Sequence, residues 1–206
     1  MTLSAQALVT VAQLRAWLSA GRTLEAAGRL ADEPLAQLAE TASAAIAAWC
    51  DRRLLAPAAA EPIVLDGTGG SLLLLPEWPV AELVSLEIDG QPVPPHQAPN
   101  QLGYRLRARE GLLTLTGHRF TRGLGNVVVT ARLGYCRQLA PTDPHHRAAL
   151  DTLTQACLLL ATHWHDKPAA GTYTTRDDGA PVRYVAEPLP ADVEGLLRPF
   201  RRVGVG

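Results

Sequence analysis

A chain of 206 residues holds one medium domain or two small ones, and 47% apolar residues are enough for a true core. The net charge of −1 is spread evenly along the chain, which excludes the basic stripe of a general nucleic-acid binder. Three widely spaced cysteines (Cys50, Cys136, Cys157) argue against a disulfide framework, no apolar run reaches the ~20 residues that span a membrane, and no signal peptide is expected at the N-terminus.

Thr10 is placed to cap a first helix near 10–19, with Val11, Leu14 and Leu18 on one face. Residues 20–31 read as a loop. Asp32, Glu33 and Pro34 make a helix start, with Asp32 as the capping carboxylate, and the apolar steps predict a second helix near 32–54. Its stripe runs through Leu35, Leu38, Ala42, Ala45 or Ile46, and Trp49. The stretch 57–62 is a linker.

Residues 63–65 and 72–75 read as a hairpin around the turn 66–70. Pro76, Trp78 and Pro79 then force a corner, because proline fixes φ and cannot donate to a ladder. Residues 83–88 alternate as a strand and end at the turn Asp89-Gly90. Further strands are predicted at 103–107, 112–116 and 126–133, with the glycine-rich stretch 117–125 as a surface loop. Asp143 caps and Pro144 begins a long helix near 143–166, with Leu150, Leu153, Cys157, Leu160 and Trp164 in line. Leu158 and Leu159 lie off that stripe, so the helix is apolar on more than one side. A loop at 168–180, an extended piece at 182–186 and a short helix near 190–197 complete the chain before the tail RPFRRVGVG.

The pattern predicts an α+β protein. A helical domain comprises 1–60 and 136–197, a mainly antiparallel β module of about 61–135 is inserted in it, and an extended arm occupies 198–206.

Candidates for chemistry fail on spacing. His163 and His165 point away from each other on a helix, His145 and His146 also diverge, and no metal motif is present. The segment 66–70 (DGTGG) leads into a strand, so no helix N-terminus awaits a phosphate. Asp177 and Asp178 sit in a polar loop, where solvation is the default reading. Neither an enzyme nor a cofactor is indicated. Two features remain: the corner at Pro76, Trp78 and Pro79, and the basic, partly apolar tail, where Phe200 could anchor in a partner's groove while arginines pair with its carboxylates.

The order of several segments carries a resemblance. VAQLRAWL and ETASAAIAAWCDRRL are followed by LLLLPEWPVAELVSLEIDG, then VVVTARLGY before a Pro-Asp helix cap, an Ala/Leu-rich helix, and PADVEGLLRPFRR. In this order the chain resembles the long class of tailed-phage head–tail connector (adaptor) proteins, which includes gene-transfer-agent adaptors. HWHDKP stands where a more basic helix end would be expected in that class.

The resemblance implies a virion component of the neck, between head and tail, made in the host cytoplasm. It implies a homo-oligomeric ring, usually of twelve copies, beneath the portal protein. That ring would carry the double-stranded DNA channel without sequence preference and contact the next neck or tail component. Leu197, Arg198, Phe200, Arg201 and Arg202 are then the candidate portal-docking residues, and Arg52 and Arg53 the candidate channel contacts. The competing expectation is a non-catalytic virion binding module for carbohydrate or protein, using Trp78, Tyr104 and Phe120 on one exposed face of the β module.

Overall fold

A computed structural model describes residues 3–20, 31–98, 101–166 and 189–202. Residues 21–30 of the predicted loop at 20–31, the predicted loop at 168–180 with Asp177 and Asp178, the extended piece at 182–186 and the end of the tail, 203–206, lie outside the described residues. The chain divides into two units: Met1–Arg52 with Ala148–Gly206, and Arg53–Arg147.

The first unit is helical. Helix α1 (Val11–Ser19) opens with a reciprocal capping box between Thr10 and Gln13 and buries Leu14 and Leu18. Helix α2 (Asp32–Cys50) buries Leu35, Ala39, Ala42, Ile46 and Cys50 at three- and four-residue steps, with Ala36 and Ser43 beside them. The stripe is turned by about one residue from the predicted one, leaving Leu38, Ala45 and Trp49 half-buried. Alanines surround this helix, so hydropathy alone does not single out the side that small residues bring close to a neighbour.

Asp32 is not the cap. Ala31 holds that position without a side-chain bond, and Asp32, already helical, pairs with Arg15 of α1. The helix stops at Cys50, earlier than predicted, because Asp51 turns into the left-handed region at φ 52°. The Asp51 and Arg52 N–H groups then fold back on the Ala48 and Ala47 carbonyls at 3.1 and 3.3 Å.

Helix α3 (Pro144–Asp166) places the buried Leu153, Ala156, Cys157, Leu160 and Ala161 in this unit, with Trp164 half-buried. Ser43 ties three segments together. Its hydroxyl donates to Ala39 O at 2.6 Å, accepts the Leu8 N–H at 2.9 Å and lies 3.6 Å from Cys157 Sγ. Burial pushes the Cys50 and Cys157 thiols up to about 11, so both act as small hydrophobes. Helix α4 (Ala191–Leu197) buries Val193 and Leu197 and passes into a 3₁₀ turn, Arg198–Phe200.

The second unit is a β sandwich. Strands β1 (Glu61–Gly67), β7 (Gly123–Leu133), β3 (Val80–Ile88) and β4 (Gln91–Pro92) form one antiparallel sheet in that order. Strands β2 (Leu72–Leu74), β6 (Leu112–Thr116) and β5 (Gly103–Arg107) form the other. Their inner faces share one core that includes Leu73, Leu86, Leu113, Leu115, Val127 and Val129.

The predicted hairpin of residues 63–65 with 72–75 does not form. β1 pairs with β7 and β2 with β6, so residues 68–71 carry the chain from one sheet to the other. Gly67 allows that departure, since a Cβ there would lie 1.8 Å from the Thr121 carbonyl oxygen. The loop 117–125 also differs from a plain surface loop: Phe120 is fully buried and plugs the sandwich core. Both differences have one cause. Apolar side chains of a sandwich are satisfied by the facing sheet, which no local pattern identifies.

Candidate functional site

The tail residues gather at the C-terminal end of α2. Leu197 is fully buried, and Phe200 is 7% exposed. The sequence predicts an extended arm from Arg198; instead Arg198–Phe200 form a single 3₁₀ turn, and extended backbone resumes only at Arg201. The turn is bonded to the helix it meets. Arg202 N–H donates to the Cys50 carbonyl at 2.9 Å, satisfying one of the last four acceptors of α2. The Arg201 guanidinium stands 5.2 Å from the centre of the Trp49 ring, within cation–π range. Arg198 and Arg201 are exposed. Phe200 thus anchors the turn within its own subunit, and the charges beside it face outward.

The two candidate channel arginines differ from each other. Arg52 is buried, close enough to Cys50 for its charge to act on that thiol. Arg53 is exposed and forms a 2.9 Å ion pair with Glu61. That pair borders a cavity of about 180 Å³ lined also by Pro57, Ile63, Pro76 and Glu77. The Glu77 carboxylate accepts the Arg53 N–H at 3.3 Å. Arg53 and Glu61 thus pair as charges, while the Glu77 carboxylate is held by a backbone N–H.

The corner connects the sheets. Pro76 is exposed, Trp78 half-buried and Pro79 buried, with a cis peptide between Trp78 and Pro79. Leu75 N–H donates to Gly111 O at 2.8 Å, Val80 N–H to Ala108 O at 2.7 Å, and Gly134 N–H to Pro79 O at 2.7 Å. These bonds fix both ends of the corner to the β5–β6 turn and to the end of β7.

Histidines that invite a catalytic reading have structural work. His146 is buried, and its Nδ1 accepts the Cys136 N–H at 3.0 Å. Its proton therefore resides on Nε2, and burial lowers its basicity against the opposing pull of Asp143. Asp143 accepts the His145 N–H at 2.8 Å, capping α3, and this bond holds its carboxyl below the ordinary range. Among the described residues no group of three or more His, Cys, Asp or Glu side chains could hold a metal ion.

One structural residue went unnoticed in the sequence. Asn126 accepts the Gly67 N–H at 2.9 Å and donates to the Asp89 carboxylate and the Thr121 carbonyl, each at 3.0 Å. It locks three loops at one end of the sandwich. The only sequence signal is an amide following a glycine within a strand.

The fold has close counterparts among solved structures. A chain from the neck of an empty GTA particle computed with C6 symmetry superposes with a TM-score of 0.61 at 22% identity. A chain from the virion of a native gene transfer agent particle gives 0.59 at 22%, and one from the neck of a native GTA particle computed with C12 symmetry gives 0.57 at 21%. Each alignment covers 100% of this chain and 96% of the other. At this identity the likeness is one of fold. No curated protein matches. The family model for head completion proteins matches residues 7–203, nearly the whole chain, and the protein belongs to the head completion protein family.

Proposed function

We propose that this head completion protein is a structural head–tail adaptor. Copies assemble into a ring beneath the portal, continue the DNA channel and offer the attachment surface for the next neck or tail component. The observation that carries this reading is the end-to-end fold likeness to neck chains from particles computed with C6 and C12 symmetry. A ring of twelve copies is our reading, and the higher of these symmetries supports it. The helical unit forms the ring and the β module acts in contact and spacing, without catalysis or cofactor.

In this reading the portal meets the 3₁₀ turn at the end of α2. Arg198 and Arg201 supply the exposed charge, Arg202 holds the turn in place through its backbone, and Leu197 and Phe200 anchor it from within. Arg53, exposed although paired with Glu61, is the stronger of the two DNA-facing candidates, and its contact would be with the phosphate backbone. The competing reading of a binding face built on Trp78, Tyr104 and Phe120 loses Phe120 to the core.

Mass measurement of the chain mixed with its portal protein tests the proposal. A discrete oligomer on the portal is the expected result. A chain that stays monomeric with portal, and is absent from assembled particles, overturns it.

A further inference from the structure

Both outer faces of the β sandwich break the usual rule that an exposed sheet face is polar. On the three-stranded sheet, Leu72 and Leu74 of the edge strand β2 are 53% and 63% exposed. They lie in register with Thr114 and Leu112 of β6, which pair in turn with Arg105 and Arg107 of β5. Arg107 pairs with Glu110 at 3.5 Å, so Arg105, exposed, gives this face its net positive charge: it is aliphatic and basic. On the four-stranded sheet, Val64 and Val84 are 61% and 58% exposed. Val64 pairs with Val128 of β7, and Val128 with Glu87 of β3. Glu82 lies on the same strand, and the only arginine among these strands' outward positions, Arg132, already engages Glu82 at 3.7 Å, Pro57 O and Gln138. The Arg132–Glu82 pair offsets both charges, so Glu87 gives this face its net negative charge: it is aliphatic and acidic.

We propose that the two faces are partners for each other across neighbouring copies, so that the Leu72–Leu74 face of one β module packs on the Val64–Val84 face of the next. The inference rests on the ring reading above. Charge complementarity selects the occupant: opposite faces of one module match each other in apolar character and oppose each other in charge. Contact between unlike patches of identical chains is heterologous and repeats around a closed ring until every face is covered. A different virion protein bound on either side would leave the second face bare.

The size of the face sets when it acts. Three strands about 4.8 Å apart and about five residues long give a face of roughly 240 Å². Standard-size interfaces bury about 800 Å² per partner, so this contact does not hold two free copies together. It adds to a ring held elsewhere and fixes the angle between modules.

The test places thiols on the two faces in the full chain, within assembled particles. The native cysteines are all buried, so a short bis-maleimide reads only introduced thiols. A chain carrying both Val64→Cys and Leu74→Cys is expected to give a ladder of cross-linked multimers. Each single variant alone gives none, and a mixture of the two single variants stops at dimers. Val84→Cys with Leu72→Cys is a second pair should the first disturb the edge. Arg105→Glu should erase the ladder, and Arg105→Glu with Glu87→Arg should restore it. Particles that contain the chain but show no ladder with either pair overturn the inference while leaving the ring intact. Dimers from a single variant would mean that like faces meet, and a cross-link to another virion protein would mean that a different partner covers the face; each refutes it. A wild-type chain missing from particles removes the ring and the inference together.

Discussion

Replacing Phe200 by alanine separates an anchor inside the subunit from an anchor in a partner. The ring is 7% exposed in the chain on its own. A phenylalanine buries roughly 150 Å² or more, which at about 25 cal/mol per Å² is worth about 4 kcal/mol. Measured core replacements of this kind cost about 3–5 kcal/mol, depending on how far the site collapses. A short terminal turn can collapse readily, so about 3 kcal/mol is expected. The loss should include the Arg201–Trp49 contact and the Arg202–Cys50 bond, which depend on the turn. With a urea m-value of about 2 kcal/mol/M, the midpoint should fall by ~1.5 M, followed by circular dichroism at 222 nm on the chain without portal. Arg198→Ala, at an exposed position, should stay within about 0.5 kcal/mol yet weaken portal attachment. An unchanged midpoint for Phe200→Ala, together with lost portal binding, would refute the reasoning and seat the ring in a partner's groove.

Three further outcomes follow from the sandwich unit. Asn126→Ala removes three hydrogen bonds at about 1 kcal/mol each, so a loss of about 2–3 kcal/mol is expected in thermal unfolding. Asp89 should respond too: the Asn126 amide, then Thr121, hold its carboxyl below the ordinary range, and in the variant its NMR titration should move upward. Gly67→Ala drives a methyl into the Thr121 carbonyl and should cost about 1–3 kcal/mol, read as a lowered unfolding midpoint with the circular dichroism spectrum retained. Burial depresses the His146 pKa in the folded chain, so the unfolded chain takes up its proton first as pH falls. Stability should therefore be full above the ordinary imidazole value of about 6.5 and decline as pH falls from there to the lower folded value. His146→Asn, which keeps an acceptor for the Cys136 N–H but does not titrate, should flatten that decline in urea unfolding at pH 7 and pH 5.

Much of the fold was legible locally. Thr10 and Asp143 read as caps because capping involves neighbours within three residues, and both bonds are present. The strands at 103–107 and 112–116 were readable from period-two alternation and glycine punctuation, and they pair as a hairpin. The α3 stripe of Leu150, Leu153, Cys157 and Leu160 was clear because threonine, aspartate and glutamine separate its members, even with Leu158 and Leu159 beside it. The α2 stripe was less so, since alanines on every side carry little contrast.

The candidate site was legible in identity but not in orientation. The tail's composition marked Phe200 and its arginines as unusual, yet the same composition fits a free arm and a turn folded onto its own helix. What chose the second was the end of α2, where the open Cys50 carbonyl and the Trp49 ring wait some 150 residues away in sequence. Arg52 and Arg53 are neighbours with the same side chain, and only tertiary packing makes one buried and the other an exposed partner of Glu61. Asn126 gained its role from loops drawn together by two sheets.

The sequence by itself therefore determined most helices and strands and their order, because caps, periodicity and proline or glycine breaks act over a few residues. The tertiary structure alone decided which strand pairs with which, that Phe120 and Phe200 turn inward, and that unlike charges occupy opposite faces of one sandwich. Those outcomes depend on contacts between residues far apart in the chain, and hydrophobicity states that a side chain will be covered without stating by what.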